Sequence, residues 1–167
     1  MIRAALRSLL LTAPAAARAT GFRGTVYTTH DAFPICMSLP SGFLCAHTFD
    51  SNTTRSPFPT MAAVHVTASD QAARTELARE TACIRDSDPR TTIVASGPGS
   101  LVTLTRGLTA GGMAQTPVLE ADVLRVVGAS LVSGTCAQAK AVAVQSGLIA
   151  CAKTVERAQE RALSTAP

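Results

Sequence analysis

Aromatic residues make up only 4% of this chain and tryptophan is absent, which weakens any reading as a base-stacking platform or aromatic sugar site, since both need exposed rings. No stretch approaches the ~20 continuous apolar residues of a spanning helix, so no transmembrane span is expected. Nothing repeats at a fixed period, which excludes solenoids. The enzyme signatures are missing as well. Neither Gly97-Pro98-Gly99 nor the glycines between 107 and 112 carry the lysine and hydroxyl of a phosphate loop or a G-x-G-x-x-G, and there is no G-x-S-x-G elbow.

What is present suits one folded domain. Of 167 residues, 47% are hydrophobic and 16% charged, enough to build a core and too apolar for a disordered tail. The formal charge of +4 suggests nucleic acid until the arginines are located. Arg3, Arg7 and Arg18 all precede the first acidic residue, and without them the charge is +1. No specific nucleic-acid partner is therefore expected.

Residues 1–20, MIRAALRSLLLTAPAAARAT, contain no acid and space their arginines beside Ile2, Leu6, Leu9 and Leu10 on a notional helix. This is the pattern of a mitochondrial presequence, ahead of a single α+β domain over 24–163. The alternative is a secretory signal with its apolar run at 9–17 and a cleavage site at Ala17-Arg18-Ala19.

The sharpest folding signal is FPICMSLPSGFLCAHTF, residues 33–49. Leu39-Pro40-Ser41-Gly42 reads as a turn, because proline pre-sets φ and glycine accepts the left-handed position. A hairpin through it pairs Phe33 with Phe49, Ile35 with His47, Met37 with Cys45 and Leu39 with Phe43. Residues 24–30 hold a β-prone run that adds a strand before it, and 50–59 is a polar loop. Residues 61–67, MAAVHVT, read as a strand. The Thr67-to-Asp70 spacing then caps a helix reaching about Ile84, with Ala73, Leu77, Thr81 and Ile84 inside and Arg74, Glu76, Arg79 and Glu80 outside.

Asp86-Ser87-Asp88-Pro89 stops that helix. Residues 91–96 and 100–106 form a second hairpin around Gly97-Pro98-Gly99, and 107–112 read as loose. Residues 118–132 fit either a helix face or one or two strands; the β-branched run and Gly128 favour strands. Thr135 caps a last helix over 136–163. Its inner seam is Ala141, Val144, Leu148, Cys151, Val155, Ala158 and Ala162; Lys153, Glu156, Arg157, Glu160 and Arg161 form the solvated face. The small residues of that seam let the helix lie close against a sheet. The fold class is thus α+β, an antiparallel β-sheet of hairpins flanked by one middle helix and a long C-terminal helix.

Five cysteines, an odd number scattered at 36, 45, 83, 136 and 151, do not make a disulfide framework and suit a reducing compartment. His30, Cys36, Cys45 and His47 are four zinc-ligand types within 18 residues. The hairpin register puts Cys36 on the opposite face from Cys45 and His47, so no metal is expected and the cysteines read as small hydrophobes. Glu76 and Glu80 read as a solvated pair. No catalytic residue, cofactor or metal ligand is assigned. The enzyme or ligand-binding alternative places a site at the sheet around Cys45, His47 and His65, with the ligand unspecified.

The F-x-x-x-x-x-L-P-x-G-aromatic run from Phe33 to Phe43, then a strand, a helix, further strands and a long C-terminal helix, resembles the Mog1/PsbP-like family. The resemblance implies a sandwich of helices about an antiparallel sheet, acting without enzymatic chemistry. With the leader, it gives the expected function: an accessory or assembly subunit with protein partners in a larger mitochondrial complex. A secreted or periplasmic domain is the alternative location.

Overall fold

The computed structural model describes residues 9–29, 43–51, 56–111 and 114–165. In chain order they form α1 (Ala13–Thr20), β1 (Gly24–Thr29), β2 (Phe43–Ser51), β3 (Phe58–Val66), α2 (Asp70–Ser87), β4 (Thr91–Gly97), β5 (Ser100–Gly111), β6 (Ala114–Val127), β7 (Ser130–Ala139) and α3 (Gln145–Ser164). The strands form one antiparallel sheet in the order β1-β2-β3-β7-β6-β5-β4. The α+β expectation holds.

Turn chemistry sets the right half of the sheet. Pro98 and Gly99 close the β4–β5 hairpin, pairing Gly97 with Ser100 as the sequence suggests. Residues 118–132 are strands, because Gly128 at φ 56 turns the chain back and pairs Val127 with Ser130. Thr67 ties the end of β3 to that turn, its backbone N–H and its hydroxyl each donating to the Ala129 carbonyl at 2.8 Å. That hydroxyl is not the helix cap. Ser69 is, accepting from the Ala72 N–H at 3.1 Å, and α2 stops at Ser87 just before Asp88-Pro89.

The sheet is covered on both faces. On one, Ala73, Leu77 and Ile84 of α2 pack on Ala63, Leu101, Leu124 and Leu131. On the other, Leu148, Ala152, Val155 and Ala158 of α3 pack on Ala62, Leu104, Ala121 and Val123. The approach of α3 is set by a missing side chain: a Cβ on Gly134 would lie 2.3 Å from the Glu156 nitrogen and 2.6 Å from the Ala152 carbonyl oxygen. Among the described residues no helix is long and apolar enough to cross a membrane.

Several expectations change. The described arm of the 33–49 hairpin does not pair as proposed, for Phe49 faces Val26 and His47 faces Thr28 on one side and Ala62 on the other. The β-branched run of β1 takes the place given to 33–39, a stretch whose Pro34 has no amide to donate to a ladder. The Leu39 to Gly42 turn, His30 and Cys36 fall outside the described residues. Residues 107–111 continue β5. The last helix begins at Gln145, not 136: Thr135 and Cys136 lie in β7, where alanine-rich sequence is held extended by pairing on both sides.

The acidic residues placed outside are inside. Glu76, Glu80 and Glu156 are 5%, 1% and 0% exposed. Helix periodicity located the faces to within one residue, and these glutamates stand at their borders. The cysteines also differ from expectation. Cys136 on β7 and Cys151 on α3 form a disulfide across a Cα separation of 6.0 Å, and Cys83 on α2 is disulfide-bonded too.

Candidate functional site

Residues 9–22 build a site with α3. Thr12 caps α1, accepting from the Ala15 N–H, Pro14 occupies its first turn, and Gly21 ends it at φ 72. Ahead of the helix, Leu10 and Leu11 are each 1% exposed. The buried amide of Gln159 on α3 grips this strap at both ends. Its oxygen accepts from the Leu11 N–H at 2.8 Å and its nitrogen donates to the Leu9 carbonyl at 2.6 Å. Ala16 and Phe22 follow into the core, where Phe22 meets Phe49 edge to face at 5.2 Å between ring centres.

Because the strap and α1 meet α3 through small side chains, a cavity of about 530 Å³ remains between them. Leu10, Leu11, Ala15 and Ala19 form one wall, Ala158 and Ala162 the other. Thr12, Thr165, Arg18 and Arg161 supply its polar lining, with no carboxylate among the described residues. Nearby, Glu156 is buried with its Oε1 3.2 Å from Arg125 Nε. Burial raises the Glu156 pKa, and the Arg125 charge acts against that rise.

A second polar group lies on the opposite face of the sheet. Glu120 and Asp122 are two apart on β6 and so project to the same side. Asp122 Oδ1 accepts from Thr135 Oγ1 at 2.5 Å, and Thr103 and Thr105 of β5 sit opposite Asp122 and Glu120. Burial, then the neighbouring Asp122 charge, pushes Glu120 up to about 7; burial raises Asp122 to about 6 against the pull of its Thr135 hydrogen bond. The alternation Glu120-Ala121-Asp122 carries this signal in the sequence once the segment is read as a strand.

Of the residues Cys45, His47 and His65, register pairs Cys45 with Val64, His47 with Ala62 and His65 with Leu44. His65 is buried beside Leu131 of β7. Among the described residues no three His, Cys, Asp or Glu side chains gather in a way that could hold a metal. The α1/α3 cavity was not legible, because a leader reading treats residues 9–20 as an address and not as a wall.

No known protein family and no curated protein matches this chain. Among solved structures, the chain is similar to the extracellular domain of PknH from Mycobacterium tuberculosis, at 12% identity and a TM-score of 0.50, covering 93% of this chain and 95% of that one. At that identity the likeness is one of fold.

Proposed function

We propose that this chain is a non-enzymatic accessory or ligand-binding domain working in an oxidising compartment, as an exported or periplasmic protein. The observation that carries this is the Cys136–Cys151 bridge, which fastens α3 to the sheet, since disulfides persist where glutathione and thioredoxin do not keep thiols reduced. The second bonded cysteine on α2, Cys83, supports the same reading. The fold likeness to a domain described as extracellular agrees with it.

The mitochondrial accessory-subunit reading rests on the acid-free, arginine-spaced leader and on the Mog1/PsbP-like hairpin motif. The burial of Leu10, Leu11, Ala16 and Phe22 weighs against a leader cut near Thr20, because that cut would strip wall and core from the domain. A binding role also fits the cavity better than a featureless surface would.

The test is to recover the protein from its native cells under alkylation, so that thiols are trapped as they stand, and to map peptides while sequencing the N-terminus. Bridged Cys136–Cys151 in the exported fraction with residues 9–20 retained supports the proposal. Reduced Cys136 and Cys151 in a cytosolic or mitochondrial fraction overturns it.

A further inference from the structure

The cavity between α1 and α3 combines apolar walls with two cationic groups. Its walls are apolar, from Leu10, Leu11, Ala15, Ala19, Ala158 and Ala162. Among the described residues its charged lining is Arg18 and Arg161, both exposed. At about 530 Å³ it falls within the ~300 to 1,000 Å³ typical of small-molecule sites.

The two guanidinium groups have no ion-pair partner among the described residues. Each lies in the last turn of its helix, where a cation can satisfy terminal carbonyls, and part of that role is already filled by other donors. The Arg161 carbonyl accepts from the Thr165 N–H and hydroxyl at 3.1 and 3.0 Å. The Ala17 carbonyl accepts from the Gly21 N–H at 2.8 Å, and the Ala16 carbonyl from the Thr20 hydroxyl at 2.8 Å. Two fork-shaped donors over an apolar cavity whose described lining holds no carboxylate match a planar oxyanion carried on a hydrocarbon chain.

We propose that this cavity binds an anionic amphiphile, a single apolar chain ending in a carboxylate, with the chain against the leucines and alanines and the head between Arg18 and Arg161. Inorganic phosphate would satisfy the arginines and leave the walls without a partner. A cationic amphiphile would meet two like charges. The proposal deepens the binding-domain reading above and rests on it for its place in the protein's work.

Titration calorimetry of the full-length, oxidised chain with laurate, dodecyltrimethylammonium and inorganic phosphate tests it. Laurate is expected to bind one to one, with neither of the other two binding at the same concentration. Arg18→Gln with Arg161→Gln should weaken laurate at least tenfold, and Ala162→Trp should abolish binding by filling the space. The arginine pair is the decisive variant, because both are exposed and their replacement leaves the core intact. No laurate binding, equal binding of the cationic amphiphile, or an unchanged affinity in the double variant overturns the proposal. Any of these, in a protein whose Cys136–Cys151 bridge is intact, leaves the exported-domain reading standing. Reduced cysteines in the native cell overturn that reading and leave the ligand result untouched.

Discussion

Gly134 of β7 lies directly under Glu156 of α3, so close that a Cβ would come within 2.8 Å of the Glu156 Cα as well as 2.3 Å of its nitrogen. The contact is backbone on backbone, which no rotamer change relieves. Gly134→Ala must push the helix off the sheet and is expected to cost about 3 kcal/mol, at the upper end of overpacking effects, or to prevent folding. Gly147, in the first turn of the same helix, has nothing within 4 Å of its Cβ position. Gly147→Ala should stabilise by up to ~1 kcal/mol through helix propensity. Urea denaturation of the two variants checks both signs; equal effects would remove the close-approach account of how α3 is seated.

The disulfide fastens the same helix two residues further along β7. Cys136 and Cys151 enclose a sequence separation of 15 residues, for which loop-closure entropy gives a stabilisation of about 3 kcal/mol. Replacing both by alanine should lower the melting temperature substantially. Reductant should lower the melting temperature of the parent by more than it does that of the double variant, in which only the bridge at Cys83 remains sensitive. A parent whose melting temperature ignores reductant would contradict this.

The acidic pair on β6 predicts a pH profile. Burial raises Asp122 from 3.8 to about 6 and Glu120 from 4.5 to about 7, so over that interval the folded state binds more protons than the unfolded one. Stability from these groups is therefore complete below about pH 4 and is lost as pH rises towards 7. Asp122→Asn, which keeps an acceptor for the Thr135 hydroxyl, should flatten the decline and raise stability at pH 8. Chemical denaturation at pH 4, 6 and 8 reads it. A profile that climbs from pH 4 to 7 in the parent would show these carboxylates to be ordinary.

How much of this was visible in the sequence varies by element. The β4–β5 hairpin was legible because Pro98-Gly99 is a local signal that needs nothing distant. α2 and the 148, 155 and 158 positions of α3 were legible because periodicity is also local. The 136–144 stretch was not, since Cys136 to Ala143 is rich in alanine and only pairing with β3 and β6 holds Cys136–Ala139 extended. The Cys136–Cys151 bridge joins two elements whose contact depends on Gly134, so no spacing rule could find it. Glu76, Glu80 and Glu156 were misplaced because a charged side chain at the edge of a helix face reads as solvated until its neighbours are known. Gln159 was passed over for the same reason, and it holds the site together.

Gln159 therefore offers a test of how the N-terminal strap is kept. Its side chain is fully buried and clamps the strap, accepting from the Leu11 N–H and donating to the Leu9 carbonyl. Gln159→Leu keeps the volume and removes both hydrogen bonds, leaving the Leu11 N–H and the Leu9 carbonyl without that partner. The expected loss is about 2 to 3 kcal/mol for two buried bonds left half made. The effect should be local. Amide exchange should quicken at Leu11 and through α1, where the Ala16 and Gly21 amides are otherwise hydrogen-bonded, while the β6–β7 amides keep their protection. Uniform acceleration across the chain would mean that strap and sheet unfold as one unit. Unchanged exchange at Leu11 would mean that the leucines alone, and not the amide clamp, hold the wall of the cavity in place.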